Sequence, residues 1–294
     1  QEKADGMYCT INKSAGDISL LSRSGKPFNN ALFSKIVDLS NNLLDENTQT
    51  QGELLVINSL QEIQPREIGN GVLNKIAQGG EWPFGLSPIF RAWDQIPISE
   101  VKSKAKYAVG YLDRLNKLVF QLETNTSIEI GCIETKIVHS LTDAKTHYAE
   151  MLEAGKEGTI LSEPNAPWVD STSKFKIKYK LTAPCELRVR GYRPGRGKNE
   201  TLFGSLICES EDGLLEVGVS GFSDNLRQEI FENFDSVWLD SIITVESNML
   251  MKPSKEGKKY SLFLPRFAEH RLDKTHADSL EKIKTQFDEA ILAV

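Results

Sequence analysis

Hydrophobic and polar positions follow two periods along this chain, and each period predicts one kind of element. Six segments repeat apolar residues every three or four positions, as amphipathic helices do; they cover 29–44, 68–76, 99–118, 142–152, 223–231 and 278–294. Seven short apolar or alternating runs before residue 181 are typical of strands; they cover 7–11, 18–22, 53–57, 89–93, 135–138, 159–161 and 175–179. The first part of the chain therefore mixes strands with helices.

The predicted elements become shorter and closer together after about residue 181. Five strand candidates cover 186–193, 202–209, 214–219, 242–246 and 260–264, and one predicted helix lies between them. Five strands with an interposed helix are typical of a small OB-fold barrel. A chain of 294 residues is also long enough for two domains. We therefore expect two domains that meet near residue 181.

The composition excludes several classes of protein. Apolar residues make up 39% of the chain and charged residues 26%, which is enough for packed cores and excludes a disordered or collagen-like chain. No run of about 18 apolar residues is present, and no basic segment leads into an apolar one, so we expect neither a membrane span nor a secretory signal. The cysteines are too far apart for a zinc ribbon, and we expect a reducing, cytoplasmic setting. They are Cys9, Cys132, Cys185 and Cys208.

The net charge of −6 argues against indiscriminate binding to polyanions, but one segment of the chain is strongly basic. Between Lys174 and Lys198, nine lysines and arginines accompany a single acidic residue, Glu186. Two interpretations of this segment are open. It is either a solvated basic face or a surface that binds phosphates.

The strongest chemical signal lies at the start of the chain, in Glu2-Lys3-Ala4-Asp5-Gly6. A lysine followed by x-Asp-Gly resembles the nucleophile motif of the covalent nucleotidyltransferases, which comprise DNA ligases, RNA ligases and mRNA capping enzymes. Taken alone, this short motif also suits a surface turn. Six further segments resemble the later motifs of the family in the same order; they are 21–25, 52–54, 90–94, 157–161, 178–180 and 271–274. Seven matches in order favour a family relationship over chance.

Among these enzymes, the chain most resembles the ATP-dependent DNA ligases of T-even bacteriophages. Trp93-Asp94, Ser173-Lys174 and the segments 262–265 and 271–275 carry this closer resemblance. It implies an α+β protein in which a nucleotidyltransferase (adenylation) domain of antiparallel sheets and helices, residues 1–181, precedes an OB-fold β-barrel domain, residues 182–294. It also implies a monomer that uses ATP and Mg²⁺ to seal nicked double-stranded DNA during replication, repair and recombination, in the host cytoplasm for a phage protein.

The resemblance also implies a role for each motif residue. Lys3 takes AMP from ATP and passes it to the 5′-phosphate of a nick, where the 3′-hydroxyl displaces it to form a phosphodiester. Carboxylates suit Mg²⁺, and an aromatic ring suits stacking on adenine. The metal ligands are Glu53 and Glu157, and the ATP-binding residues are Glu2, Arg23, Glu53, Trp93, Lys178, Lys180 and Arg271. We expect one pocket to be lined by Lys3, Glu53, Trp93, Glu157, Lys178 and Lys180.

The cationic motif residues suit a substrate that carries several phosphates. A free lysine amine is almost entirely protonated at neutral pH, and nearby cations favour its reactive neutral form. Lys178 and Lys180 would act in this way on Lys3 and would neutralise phosphate charge. Arg23 would hold phosphate during AMP transfer, and Arg271 would orient the pyrophosphate of ATP.

Each of these assignments has a plainer alternative. The tryptophan also suits a core position in an apolar strand, and the two glutamates also suit solvent-exposed strand ends. Glu53 could bind the ribose hydroxyls instead of a metal. The two lysines share one strand face with Lys174 and Lys176, and the whole face could simply be solvated. Arg271 also suits a surface ion pair.

The chain departs from the family pattern in two ways. Tyr8, Ser162 and Thr172 stand where the family or its phage members carry a basic residue, so phosphate contacts are lost there or shifted to neighbouring lysines. Only Gln1 and Glu2 precede the nucleophile. We therefore expect the chain to lack the strands and the helical DNA-binding domain that lie upstream in the phage enzymes.

Two alternatives to a DNA ligase core remain open. One is a non-catalytic nucleic-acid-binding OB module beside a degenerate adenylation domain, which the three missing cations favour. The other is an RNA ligase or a capping-type nucleotidyltransferase. Reactivity toward ATP, GTP, nicked DNA and nicked RNA separates the three hypotheses.

Overall fold

The computed structural model describes residues 1–253 and 258–292, and it confirms the predicted α+β class. The helices are α1 (Ser34–Leu43), α2 (Arg66–Ala77), α3 (Tyr111–Leu122), α4 (Leu141–Glu153), α5 (Asp224–Glu232) and α6 (Leu280–Leu292). The strands are β1 (Met7–Ser14), β2 (Asp17–Ser22), β3 (Thr48–Asn58), β4 (Leu86–Pro97), β5 (Lys106–Tyr107), β6 (Ile130–Cys132), β7 (Gly158–Ser162), β8 (Trp168–Val169), β9 (Lys176–Lys180), β10 (Ala183–Pro194), β11 (Phe203–Glu209), β12 (Glu216–Val219), β13 (Ile242–Ser247), β14 (Met249–Met251), β15 (Ser261–Phe263) and β16 (Arg266–His270).

The chain divides into two compact units. The first comprises residues 1–144 and 154–179, and the second comprises residues 145–153 and 180–294. Each unit buries its own apolar core, as expected of separate domains. No helix in the described part of the chain combines the length and the apolar character needed to cross a membrane.

The first unit is built on a five-stranded sheet with the strand order β2-β1-β3-β4-β6. All neighbours in it are antiparallel except the β4–β6 pair. The β1–β2 hairpin turns through Ala15 and Gly16, whose φ angles of 53° and 80° define a primed turn that matches the twist of the strands. Leu54 and Phe90 are fully buried beneath the helices. The small sheet β5-β8 and all of the β7-β9 pair except Lys180 also belong to this unit.

The second unit contains a five-stranded sheet with the order β12-β11-β10-β13-β16, in which all neighbours are antiparallel. A bridge between Ser220, which follows β12, and Arg266 of β16 links the two edge strands. Strands β14 and β15 form a separate pair. Phe203 and Trp238 lie in the core, and Ile283 of α6 covers it. A small sheet whose edges meet is consistent with the OB-type pattern.

Two predicted elements are wrong. The segment 99–118 does not form one helix, because Lys104 adopts a positive φ of 60° and Gly110 is extended; α3 begins only at Tyr111. The predicted strand 135–138 is a loop in which Ile137 is 53% exposed, and the nearby strand is β6 instead. The helix predicted over 278–294 is confirmed as α6, although its last two residues lie outside the described part.

Candidate active site

The first residues of the chain are held as a short strand against β7. The backbone N–H of Lys3 donates to the carbonyl of Gly158 at 2.9 Å. Glu2 and Thr159 form an antiparallel bridge beside it. This pairing places the side chain of Lys3 next to Glu157, the residue that precedes β7.

Lys3 and Glu157 form an ion pair through Nζ and Oε2. The Lys3 side chain is 18% exposed, whereas that of Glu157 is only 7% exposed. The amine is therefore fixed in place by a buried carboxylate and still reached from solvent. Glu2 forms a second ion pair in this region, with Lys156 at 3.2 Å.

β3 brings another carboxylate to the same place. Glu53 lies directly opposite Tyr8 in the pairing of β3 with β1, and its carboxylate accepts a hydrogen bond from the backbone N–H of Gly6. Burial raises the pKa of Glu53 to about 7, although Lys3, the Gly6 N–H and Arg23 all act to lower it. Burial therefore favours the protonated form of Glu53.

The raised pKa of Glu53 predicts a loss of stability as the pH rises from about 4.5 to about 7 in metal-free buffer. A carboxyl whose pKa is higher in the folded protein than in the unfolded chain holds its proton more tightly when folded, so deprotonation favours unfolding. We expect a loss on the order of 3 kcal/mol that is complete above pH 7. Thermal unfolding of the wild type and of Glu53→Gln, measured across this pH range, checks the prediction. Only the wild type should lose stability through titration of residue 53. If the stability of both proteins changes with pH in the same way, the prediction is wrong.

Gly6 allows the nucleophile segment to pass close to β3. A Cβ at this position would lie 2.1 Å from the carbonyl oxygen of Leu54 and 2.9 Å from Cγ of Glu53. The first contact is too short to be relieved without displacement of the backbone, and the second requires the side chain of Glu53 to move. The glycine of the Lys-x-Asp-Gly pattern is therefore a packing requirement.

Replacing Gly6 with alanine is expected to lower the free energy of unfolding by about 2 kcal/mol, because the added methyl group overpacks the strand. Gly71→Ala provides the matched control. Gly71 lies in α2 with nothing within 4 Å of an added Cβ, so alanine should stabilise the helix by about 0.5–1 kcal/mol. Urea unfolding measures both variants, and a Gly6→Ala protein as stable as the wild type would refute the close approach.

A cavity of about 660 Å³ adjoins the Lys3 amine. Its lining contains three cationic and three acidic side chains, which are Lys3, Arg23, Arg66, Asp5, Glu53 and Glu157. Ser22 and Ser24 add hydroxyl groups. Cations and hydroxyl groups suit the oxygens of a phosphate, while the carboxylates suit a metal ion that accompanies it.

Arg66 also lines the cavity, although it belongs to none of the predicted motifs. It is the first residue of α2, and its Nη1 pairs with Oδ1 of Asp5 in the nucleophile motif. The two residues are 61 positions apart, and an arginine at the start of a helix carries no motif. The position of Arg66 in the site follows only from the packing of α2 on β3.

Trp93 is the extra residue of a β-bulge in β4. Gln51 of β3 pairs with Asp94, and Gly52 pairs with Ala92, so that Trp93 has no partner across the ladder. A bulge changes the direction of the side chain that it carries. Trp93 is only partly buried, unlike its strand neighbours Ala92 and Asp94.

The ring of Tyr8 lies between two of the predicted site residues. The guanidinium carbon of Arg23 lies 5.3 Å from the ring centroid of Tyr8. The Trp93 ring centroid lies 5.9 Å from that of Tyr8, with the planes inclined by 46°. Burial raises the pKa of Tyr8 to about 12, so its hydroxyl stays protonated at neutral pH.

A buried ion pair supports the strand that carries Trp93. Arg114 of α3 donates from Nε and Nη2 to the two carboxylate oxygens of Asp94, each at 2.8 Å, and the side chains are 3% and 1% exposed. Arg114 also donates to the carbonyl of Ala166 at 3.1 Å. The Tyr111 hydroxyl donates to the carbonyl of Trp93 at 2.9 Å. Arg114 and Tyr111 belong to no motif, and Asp94, inside the aromatic motif, is the signal for them in the sequence.

The lysines of β9 have three different environments. Lys176 has its Nζ 4.6 Å from the ring centroid of Tyr111, and burial lowers its pKa. Lys178 is exposed. Lys180 belongs to the second unit and donates to Oδ1 of Asn248 at 3.1 Å. In the described part of the chain, none of these lysines lines the 660 Å³ cavity, and neither does Trp93. The nucleotide-binding roles of Lys178, Lys180 and Trp93 stay predictions.

Arg271 lies in the second unit within a cluster of ion pairs. Its Nε and Nη2 donate to the carboxylate of Asp273 at 2.9 and 2.7 Å, and its Nη1 lies 2.7 Å from Oε1 of Glu186. Lys274 contacts the same Glu186 oxygen at 3.1 Å. The hydrogen bond with Arg271 lowers the pKa of Asp273 to about 2. The predicted role of Arg271 toward ATP stays a prediction.

The donor set of the cavity suits a metal ion that binds together with phosphate. Within residues 1–253 and 258–292, no group of three or more acids, histidines or cysteines could hold a metal ion by itself. The carboxylates of Glu53 and Glu157 line one cavity. One or two carboxylates completed by substrate phosphate oxygens are a usual environment for Mg²⁺.

Comparison with known proteins identifies the family of the chain. The profile of the ATP dependent DNA ligase domain matches residues 1–180. The DNA ligase of Enterobacteria phage T4 is 30% identical over 236 residues, which cover 77% of this chain and 48% of that protein. The chain thus spans about half the length of the curated relatives it matches.

Solved structures share the fold of the chain at lower sequence identity. The structure named Pmar-Lig_Pre. superposes with a TM-score of 0.73 at 20% identity, covering 92% of this chain and 63% of that one. A structure from work on DNA binding by Lig E DNA ligases with a minimal scaffold gives a TM-score of 0.63 at 20% identity, covering 92% and 91%. Since the family profile spans more than half of the 294 residues, the chain belongs to the ATP-dependent DNA ligase family.

Proposed function

We propose that this chain is the catalytic core of an ATP-dependent DNA ligase in which Lys3 carries AMP. One observation supports this proposal above the others: the Lys3 amine is held by Glu157 at the wall of a cavity that also contains Glu53 and Arg23. A nucleophilic amine beside carboxylates and a guanidinium suits nucleotidyl transfer.

In the first step, Nζ of Lys3 attacks the α-phosphorus of ATP. The N–P bond forms while the bond from the α-phosphorus to the bridging oxygen breaks, and pyrophosphate leaves. The amine must lose a proton, and the carboxylate of Glu157 is its ion-pair partner and the nearest acceptor. The buried pairing also fixes the direction of the amine, so that little orientational freedom is lost at the moment of attack.

In the later steps, AMP moves from Lys3 to the 5′-phosphate of nicked DNA, and the 3′-hydroxyl then displaces it. Arg23 lies in the same cavity and suits the phosphate that is bound in the transfer step. Trp93, aimed by its bulge, is the proposed stacking surface for adenine. Nicked double-stranded DNA is therefore the proposed partner of the chain.

Mg²⁺ is the proposed metal, and Glu53 and Glu157 are the residues that would hold it together with phosphate oxygens. When bound, it would supply positive charge to the phosphates. Proton binding to Glu53, whose pKa burial raises to about 7, competes with such a cation.

The proposal is tested by incubating the chain with ATP and Mg²⁺ and measuring its intact mass. We expect one AMP adduct, located at Lys3 by peptide mapping, and no adduct with GTP. Adenylylated chain supplied with 5′-phosphorylated nicked DNA should then release AMP and join the strands. A preference for nicked RNA or for GTP would favour the RNA ligase or capping alternative. DNA binding without any adduct would favour the non-catalytic module.

A further inference from the structure

The ring of Tyr8 contacts Arg23 and Trp93, to which the proposed function assigns the phosphate and the base of a nucleotide. Arg23 lies over one side of the ring at 5.3 Å, and Trp93 lies beside it at 5.9 Å. Tyr8 itself lines the cavity next to the Lys3 amine. We propose that Tyr8 is a positioning residue, whose ring holds Arg23 toward phosphate and Trp93 toward the base of ATP; this inference rests on the function proposed above.

The strand register explains how one ring reaches both side chains. Tyr8 on β1 is directly opposite Glu53 on β3, so the two side chains share one face of the sheet. Trp93 comes from β4, the next strand beyond β3. Arg23 follows β2, the strand on the other side of β1. The ring thus contacts side chains that come from both sides of β1.

The chemistry of the contacts indicates that the ring, and not the hydroxyl, does this work. A guanidinium over an aromatic face is held by the quadrupole of the ring, and a tilted aromatic pair depends on the same π system. Phenylalanine preserves both contacts, whereas an aliphatic side chain of similar volume removes both. The two substitutions therefore separate positioning from space filling.

The first test measures the rate of Lys3 adenylylation against ATP concentration for the wild type, Tyr8→Phe and Tyr8→Leu. We expect Tyr8→Leu to raise the KM for ATP about tenfold with a maximal rate within about twofold of the wild type. Tyr8→Phe should stay within about twofold of the wild type in both quantities. A merely structural role would lower the fraction of active protein and leave KM unchanged.

The second test is a double-mutant cycle with Arg23, read from the transfer of AMP to the 5′-phosphate of nicked DNA. Tyr8→Leu and Arg23→Gln should each slow this transfer about tenfold. If Tyr8 acts through Arg23, adding Tyr8→Leu to Arg23→Gln should slow it by less than about twofold more. If the two substitutions together slow AMP transfer by the product of their separate effects, Tyr8 does not act through Arg23, and that part of the inference is overturned.

The outcomes distinguish this inference from the proposed function. A wild-type chain that forms no AMP adduct refutes the function itself. If the wild type forms the adduct but Tyr8→Leu has a normal KM for ATP, only the role of Tyr8 is refuted. The role of Tyr8 is also refuted if Tyr8→Phe is as impaired as Tyr8→Leu. If circular dichroism shows that Tyr8→Leu does not fold, Tyr8→Met replaces it in both tests, because methionine fills a similar volume without a ring. The results expected for Tyr8→Met are the same as those for Tyr8→Leu.

Discussion

Lys3→Arg is expected to abolish formation of the AMP adduct, lowering its rate by more than about 1000-fold. Arginine retains the positive charge, so the ion pair with Glu157 can persist and the fold is preserved. A guanidinium stays protonated in proteins and offers no lone pair for attack on phosphorus. Intact mass after incubation with ATP and Mg²⁺, compared with the wild type, measures the loss.

The matched control for this substitution is Lys35→Arg. Lys35 is 79% exposed and pairs with Glu129 at 2.9 Å on the same unit, so the same chemical change there should leave adduct formation unchanged. Thermal unfolding should show all three proteins folded. An adduct of normal yield on Lys3→Arg would place the nucleophile elsewhere and would refute the assignment of Lys3.

Arg114→Met is expected to lower the free energy of unfolding by about 3–5 kcal/mol. The substitution leaves the carboxylate of Asp94, which is 1% exposed, without its cationic partner in a buried position. Asp94 directly follows Trp93, so we also expect weaker adenylylation. Urea unfolding measures the first effect, and the KM for ATP measures the second.

Lys117→Met on the same helix is the control for Arg114→Met. Lys117 pairs with Asp45 at 2.8 Å, but the two side chains are 64% and 43% exposed. Breaking an exposed pair should cost about 1 kcal/mol or less, because water solvates both groups. Equal losses in the two variants would show that burial of the Asp94–Arg114 pair does not decide its importance.

The residues of the candidate site that belong to a short motif within one strand or turn could be predicted from the sequence. The segments of Lys3, Glu53 and Glu157 were recognised from the residue types and their order, and the structure brings all three side chains to one cavity. Arg66 and Arg114 were not recognised, because each acts through a partner on another element. Their own segments contain no sign of that partner.

The secondary structure was predictable to a similar degree. Helices with a regular apolar period, such as α2 and α6, are confirmed, and so are the strands predicted over 7–11 and 18–22. The long helix predicted over 99–118 is wrong, since a positive φ at Lys104 and an extended backbone at Gly110 interrupt an apolar period that would otherwise suit a helix. Apolar periodicity alone does not detect such interruptions of the backbone.

The sequence by itself determined the class of elements, the order of the motifs and the identity of the amine that is proposed to react. Those properties depend on the residue types and spacings within short segments. Only the tertiary structure decided that Arg66 meets Asp5, that a bulge redirects Trp93, and that Tyr8 lies between Trp93 and Arg23. Such contacts join distant segments, and the pairing of strands and the packing of helices that create them are properties of the whole fold.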